Sequence, residues 1–280
     1  MILVTGATGR IGRAVVNILS EQQVAVRAIV RDPSRAAMPH GVEVVASDYS
    51  DLTTLAAAAT GADALFLMAP VPFLADYSAK MTEVAKRAGV RQIVVLSSLS
   101  VEMNHGNAFV IEHKAAETAV QNSGCDWTIL RAGELASNTL GWAKSITAAR
   151  LVEPLIRNAP TARIDPYDVS AVAAAALTEP GHSGKIHELT GGETTTPQEC
   201  AGILSKLLGI KLTYSELTDT EAEQRWISIF GDSATQRERI RTLRERDLPW
   251  MAVRPDVEAI LGRRPRTYLD WAKANLAAFH

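Results

Sequence analysis

Apolar and polar positions follow a regular alternation over the first 135 residues. Short apolar runs at 2–4, 24–30, 42–46, 64–68, 92–96 and 127–130 are too brief for helices and read as buried strands. Between them lie longer stretches whose apolar residues recur every three or four positions. The spacing predicts helices over 13–21, 53–59, 77–88 and 109–122; in the first, Ile11, Val15, Ile18 and Leu19 share a face. The run 64–68 is apolar throughout, as a central strand of a parallel sheet would be. Strand and helix in strict alternation predict a doubly wound α/β fold with a parallel sheet.

Past residue 135 the rhythm changes. Residues 140–157 look helical, although Pro154 interrupts them. Asp165-Pro166-Tyr167-Asp168 opens a helix over 169–177, and 185–189 reads as a strand. Thr196-Pro197, a capping residue followed by proline at the first helical position, opens a helix over 198–208. A strand at 211–214 and helices at 219–230, 233–246 and 267–279 complete the chain. The expected division is a sheet domain over 1–150 and a smaller mixed α/β lobe over 151–280, some segments of which return to the sheet.

The turn after the first strand carries the first chemical signal. Gly6, Gly9 and Gly12 form G-x-x-G-x-x-G between a strand and a helix. Gly6 permits the tight turn, Gly9 lets the backbone approach a pyrophosphate, and Gly12 lets helix and strand pack closely. The free N–H groups and the positive end of the helix then face phosphate. That context makes a Rossmann, NAD(P)-binding domain the expectation, with Thr8, Arg10 and Ile11 completing the loop.

The ends of the next strands refine it. After the second strand, Arg31 suits the 2′-phosphate of NADP, with Arg10 and Arg35 nearby to add charge. NADP is therefore favoured over NAD. Asp32 is the competing ribose ligand, unless it serves to cap the turn at Pro33. Asp48, with Tyr49 beside it, ends the third strand where an adenine amino group would lie; the alternative for Asp48 is a helix N-cap. Ala69 and Pro70 break the fourth strand and leave room for ribose and nicotinamide. Ser97 ends the fifth, where side chains point into the ligand crevice.

Composition mainly excludes. The 280 residues are 47% apolar and 21% charged, with a net charge of −2, so nothing draws the chain toward nucleic acid. The mixed-sign run 237–246 reads as a solvated helix face, and Trp226 with Phe230 as core packing rather than a substrate wall. Cys125 and Cys200, without metal-ligand spacing, read as core thiols in a reducing compartment. No metal site is expected. With a first strand expected from residue 2, no signal peptide is expected, and no apolar run is long enough for a membrane span. A cytoplasmic protein without membrane or nucleic-acid partners is expected; a homodimer is compatible with the sequence.

Taken together, Thr5 to Gly12, Val30-Arg31-Asp32-Pro33, Ser47-Asp48-Tyr49, Val95-Leu96-Ser97-Ser98, His113-Lys114-Ala115-Ala116-Glu117 and Trp127-Thr128-Ile129-Leu130-Arg131 resemble the NmrA-like branch of the atypical short-chain dehydrogenases/reductases. Glu188-Leu189-Thr190-Gly191 and the segment 266–279 fit as well. Within that branch the chain is most similar to the NAD(P)H-dependent quinone and azo-compound reductases. The resemblance implies cofactor contacts from Gly6, Thr8, Gly9, Arg10, Ile11 and Gly12, a 2′-phosphate contact from Arg31, an adenine contact from Asp48, and a lysine near the nicotinamide ribose, Lys114.

One departure bears on the chemistry. The wider superfamily uses Tyr-x-x-x-Lys, but the residue four before Lys114 is Val110. Ketone reduction needs a proton delivered to the forming alkoxide, whereas a quinone or azo product anion is delocalised and takes its proton from water. The expected reaction is therefore direct hydride transfer to a small electron-poor acceptor lying by Ala69, Pro70, Ser97 and Gly133. Lys114 is the expected catalytic residue, holding ribose hydroxyls and adding positive potential. Its plain alternative is a helix lysine paired with Glu112 or Glu117. His105 and His113 are weaker candidates for proton donation, each more in keeping with a surface or loop histidine. The competing function is a non-catalytic NADP(H)-sensing regulator; an epimerase or isomerase ranks last because it needs the missing tyrosine.

Overall fold

The computed structural model describes residues 1–47, 51–103, 106–245 and 248–280. In chain order the elements are β1 (Ile2–Val4), α1 (Arg10–Glu21), β2 (Val26–Val30), β3 (Glu43–Ala46), α2 (Leu52–Ala59), β4 (Ala64–Leu67), α3 (Leu74–Arg87), β5 (Gln92–Ser98), α4 (Ala108–Gln121) and β6 (Asp126–Ala132). There follow α5 (Ala143–Ala149), β7 (Leu151–Val152), α6 (Pro166–Thr178), β8 (Lys185–Leu189), α7 (Pro197–Leu208), β9 (Thr213–Tyr214), α8 (Asp219–Phe230), α9 (Ala234–Leu243), α10 (Asp256–Leu261) and α11 (Tyr268–Ala274).

Seven strands form one sheet in the order β3-β2-β1-β4-β5-β6-β8, and every pairing in it is parallel. This is the expected doubly wound α/β fold. Leu3 at the centre lies opposite Arg27 on one side and Leu65 on the other. One face packs Val15 and Leu19 of α1 with Val172 and Ala176 of α6. The other packs Leu55 of α2, Met81 of α3 and Val120 of α4. Burial on both faces is why these strands read as unbroken apolar runs.

α6 and β8 lie on the lobe side of residue 150 in sequence, yet both belong to the sheet layers. β8 pairs with β6 through Thr128–Lys185 to Ala132–Leu189. α6 lies against α1, where Ser170 Oγ donates to the Ile11 carbonyl at 3.1 Å. The remaining lobe has its own core, built on Cys200, Leu204, Tyr268 and Trp271, and a two-stranded parallel sheet of β7 and β9. Asp168 of α6 is fully buried and ties the two parts, accepting from Arg263 Nη2 at 2.7 Å and from the Arg266 backbone N–H at 2.6 Å.

Several expected boundaries move, each for a local reason. β2 starts at Val26 because residues 22–24 form the turn that closes α1: Gln23 has φ +60° and the Val24 N–H donates to the Leu19 carbonyl. The helix expected over 140–157 is a 3₁₀ segment Ala136–Trp142 followed by α5. It stops at Arg150, which adopts φ +52°, and Leu151-Val152 then pair with Thr213-Tyr214. The last helix gives way to a 3₁₀ turn, Leu276–Phe279, and α10 is an element the pattern did not announce. The expected caps do form: Asp165 accepts from the Tyr167 N–H, and Thr196 with Glu199 makes a reciprocal capping box.

Candidate active site

The strand order reverses between β1 and β4, and the glycine turn lies at that switch point, where open α/β sheets bind ligands. Gly6 has φ +62°. A Cβ on Gly12 would fall 2.3 Å from the Gly6 carbonyl oxygen, and one on Gly9 would fall 3.2 Å from it. The turn is thus closed so tightly that side chains are excluded, which leaves a bare main-chain cradle at the start of α1. Gly9, the N-cap of α1, makes no side-chain cap, so the first helical N–H groups remain available to an anion. Thr5 locks the strand beneath, its hydroxyl accepting from the Met68 N–H at 2.8 Å and donating to the Met68 carbonyl at 2.9 Å. These residues fit a pyrophosphate.

Around the cradle, Thr8 and Arg10 are exposed at the rim, and Arg31 is exposed directly after β2. Asp32 is engaged elsewhere: its carboxylate accepts from the Ser34 N–H at 3.0 Å and the Ser34 hydroxyl at 2.6 Å. Turn capping, one of its two expected roles, is the one it performs. Asp48 and Tyr49, the expected adenine contacts, and His105 lie outside the described residues.

A cleft of about 690 Å³ opens from this point. Ile11, Ala69, Ser97 and Gly133 line it, so the ends of α1, β4, β5 and β6 meet where the sequence placed them. Pro70 is exposed on the following turn, off the lining. Gly133 is needed where it stands, since a Cβ there would come within 3.0 Å of Trp250 Cβ. Ser97 belongs to a buried network: its hydroxyl donates to Glu117 Oε1 at 2.6 Å, while Arg131 grips the same carboxylate through Nε at 3.0 Å and Nη2 at 2.7 Å. The bidentate pair holds β6 against α4, and the Ser97 hydroxyl ties β5 to the same carboxylate beneath the cleft.

α4 faces the cleft through Phe109 and His113. Lys114 is half-buried next to His113, off the lining. Val110 is fully buried beneath them. His113 is no surface histidine. It is buried, its Nδ1 lies 2.7 Å from the Phe109 carbonyl, and its ring packs on Phe109 with centroids 4.2 Å apart. Burial pushes its pKa down, and the nearby Arg239 guanidinium adds to that. The ring is neutral at pH 7, with Nδ1 as donor.

The lobe supplies the opposite wall, and much of it went unforeseen. Trp226 and Phe230 do pack together, centroids 4.3 Å apart; Trp226 is buried as expected, whereas Phe230 is exposed, and both line the cleft. The run 237–246 is not uniformly solvated. Arg239 lies over the Phe109 ring at 4.2 Å, and Arg244 is buried, donating to the Leu155 and Leu217 carbonyls and pairing with Asp219. Two further lining residues come from segments without a motif. Ile164 N–H donates to the Glu134 carbonyl, and Ala136 N–H to the Ile164 carbonyl. That pairing places Glu134 and Arg163 in the cleft wall. Burial pushes the Glu134 carboxyl above the usual carboxylate range, against the opposing pull of Arg163 and of the Asn138 amide 3.1 Å away. Sequence periodicity carries no signal that residues 134, 163 and 239 line one cleft.

Residues 6–180, more than half of the chain, match a family model described as NAD(P)H-binding. The chain is 37% identical, over its whole length and 99% of the relative, to a (4-alkanoyl-5-oxo-2,5-dihydrofuran-3-yl)methyl phosphate reductase of Streptomyces griseus. It is 31% identical, over its whole length and 99% of the relative, to an NAD(P)H azoreductase of Xenophilus azovorans. Among solved structures, an NADPH-dependent quinone oxidoreductase of Escherichia coli crystallised with NADPH superposes with a TM-score of 0.83 at 26% identity, covering 98% of this chain and 99% of that one. The chain belongs to the NAD(P)H-binding family, in its NmrA-like atypical short-chain dehydrogenase/reductase branch. Within that class it is an NAD(P)H-dependent reductase. No helix among the described residues is long and apolar enough to cross a membrane.

Proposed function

We propose that the protein transfers hydride from NADPH to a small electron-poor acceptor, a quinone or an azo compound. The conjugated double bond of an acyl-dihydrofuranone, as named for the Streptomyces griseus relative, is an acceptor of the same electronic kind. The observation that carries this reading is the make-up of the cleft: among the described residues lining it there is no tyrosine, and Val110 stands where the superfamily's phenol would be. An acceptor whose reduced form is a delocalised anion needs no phenolic acid.

NADPH, when bound, supplies the hydride. The chain's own residues do the rest. Gly6, Gly9 and Gly12 present main-chain N–H groups to the pyrophosphate, and Arg10 and Arg31 take the 2′-phosphate. Asp48 and Tyr49 hold the adenine end. Ala69 and Gly133 leave space for the reacting rings, and Ser97, held by Glu117, fixes their edge. Lys114 reaches the ribose hydroxyls and adds positive potential as charge develops. Water reaches the acceptor from the cleft mouth and delivers the proton. Two unpaired thiols, Cys125 and Cys200, suit a reducing cytoplasm.

The test is loss of the NADPH absorbance band with a small quinone and an azo dye, compared with NADH. Turnover preferring NADPH, reduced at least about tenfold by Lys114→Ala, is the expected result. Preference for NADH would remove the Arg31 assignment. Saturable cofactor binding without turnover over a broad acceptor panel would sink the reductase reading and leave a redox sensor.

A further inference from the structure

A hydride leaves its acceptor with a negative charge, and a positioned side chain that gives up a proton completes the reduction faster than bulk water does. The described lining of the cleft offers few such groups. It holds no tyrosine, cysteine or aspartate, and its arginines stay charged; the other titratable side chains are His113, Glu134, Lys144 and Glu153. His113 is neutral with its proton on Nδ1, turned to the Phe109 carbonyl, so Nε2 has a lone pair and nothing to donate. Glu153 is engaged by Arg225 at 2.6 Å. Lys144 is exposed on α5 of the lobe, away from the strand ends. Glu134 is left. It is the second residue beyond β6, directly after Gly133, and its main chain is fixed on both sides: the Gly133 N–H donates to the Leu189 carbonyl at 2.8 Å, and the Ile164 N–H to the Glu134 carbonyl at 2.9 Å. Its Oε1 accepts from Asn138 Nδ2 at 3.1 Å. Among the described residues, Oε2 has neither a hydrogen bond nor an ion pair. Burial favours the neutral carboxyl, and Arg163 is the one charged group that pulls appreciably the other way.

Resting on the reductase reading above, we propose that Glu134 is the general acid of the reaction and hands the proton on its Oε2 to the oxygen or nitrogen anion of the reduced acceptor. The hydride carries both electrons. The O–H bond of the carboxyl breaks, the O–H bond of a hydroquinone or the N–H bond of a hydrazine forms, and the Glu134 carboxylate takes a proton back from water at the cleft mouth. Water remains the source, and Glu134 is its carrier; one hydride and one proton complete the two-electron reduction. Asn138 has two parts in this. Its amide donates to Oε1, so the carboxyl proton sits on Oε2, and by favouring the carboxylate it keeps that proton from being held too tightly to transfer. The acid thus comes from the end of β6, whereas the superfamily's phenol would stand on α4, where Val110 is fully buried.

The experiment separates proton delivery from folding and from cofactor binding. With a saturating quinone or azo dye, Glu134→Gln should lower kcat at least about 100-fold. Its NADPH affinity in a fluorescence titration should stay within about twofold of the wild type. The wild-type kcat should fall as pH rises through ionisation of the carboxyl, since the proton is then gone, and Glu134→Gln should lack that limb. Asn138→Ala removes a contact that favours the carboxylate, so it should move the limb to higher pH; should Glu134→Gln fail to fold, this variant decides. A readout without turnover is the infrared difference between NADP⁺-loaded wild type and Glu134→Gln near neutral pH, which should contain the C=O stretch of a protonated carboxyl. A Glu134→Gln kcat within about threefold of the wild type overturns the proposal and leaves the reductase reading intact. A limb that Asn138→Ala does not move, or an infrared difference without the protonated-carboxyl band, does the same. No turnover of either acceptor by the wild type sinks the reductase reading, and the acid role falls with it.

Discussion

On the sheet side of the cleft the decisive positions are glycines and main-chain groups; on the lobe side they are long side chains. The glycine turn works by omission: within residues 6–12, one strand end and one helix start, it removes every Cβ that would fill the cradle. The opposite wall assembles Glu134, Arg163, Trp226 and Arg239 from four separate segments, and each depends on partners far away in sequence. A main-chain cradle suits a ligand that never changes. A wall of side chains is free to vary with the acceptor while the sheet stays as it is.

The largest effect should come from the side without tolerance. A Cβ on Gly12 would sit 2.3 Å from the Gly6 carbonyl oxygen, a distance that real contacts do not reach. Gly12→Val should abolish measurable NADPH binding, a loss of at least about 100-fold, in a fluorescence titration. Gly141 lines the lobe side of the same cleft, and a Cβ there would meet nothing within 4 Å. Gly141→Ala should change NADPH affinity by less than about twofold. Equal losses in the two variants would break the contrast.

The second test concerns what holds the sheet side together. Glu117 is 5% exposed and carries both Ser97 and Arg131. Glu117→Ala removes the bidentate partner of the largely buried Arg131 guanidinium, leaving it only the weaker pull of Glu102 and Glu188, and should cost about 3 kcal/mol in urea unfolding. Replacing both members, Glu117→Leu with Arg131→Met, should recover most of that stability but not the hydrogen bond that fixes Ser97, so kcat should stay low. A double variant with full activity would deny Ser97 its place in the site.

The same contrast explains what could be read from the sequence. Sheet, crossover helices and glycine turn are encoded locally: apolar runs of strand length, a 3.6-residue period, a cap such as Asp165-Pro166. Their positions held, with boundaries shifted by turns such as Gln23 and Arg150, whose left-handed conformation no residue type announced. Ala69, Ser97 and Gly133 were legible because strand ends converge at a switch point by topology alone. Arg163 and Arg239 were not. Arg239 sits in a mixed-charge run that satisfies every rule for a solvated face, and only its position over Phe109 removes it from that class. His113 looked like a helix-surface residue because a single histidine in a polar stretch carries no burial signal.

A smaller effect separates cofactors instead of abolishing their binding. Arg31 is exposed, so its contact with a 2′-phosphate is screened by water and by salt. Arg31→Ser should weaken NADPH binding about tenfold and leave NADH within about twofold. The difference should shrink as salt is raised from 50 to about 300 mM. Equal losses for both dinucleotides would assign Arg31 to the structure of the loop rather than to the phosphate.

The smallest effect lies where the two sides touch. His113 belongs to α4 of the sheet side, and its ring packs on Phe109, which in turn lies beneath Arg239 of the lobe. Burial lowers the His113 pKa from its ordinary 6.5, so the folded protein keeps the ring neutral at a pH where the unfolded chain takes up a proton. The unfolded state then binds more protons, and stability must fall as pH drops below about 6.5. His182 and His187, an adjacent buried pair with Nδ1 and Nε2 3.0 Å apart, shift in the same direction and share the slope. Urea midpoints measured between pH 7.5 and 5 should therefore decline, and His113→Gln should flatten only part of the decline. If the stack joins the two sides, protonating His113 sets a second cation beside Arg239, so the lobe should loosen first. Hydrogen exchange along α9 should then rise at pH 5.5 before exchange along β4 and β5 does. Exchange rising equally in both would mean that the stack transmits nothing between the two walls of the cleft.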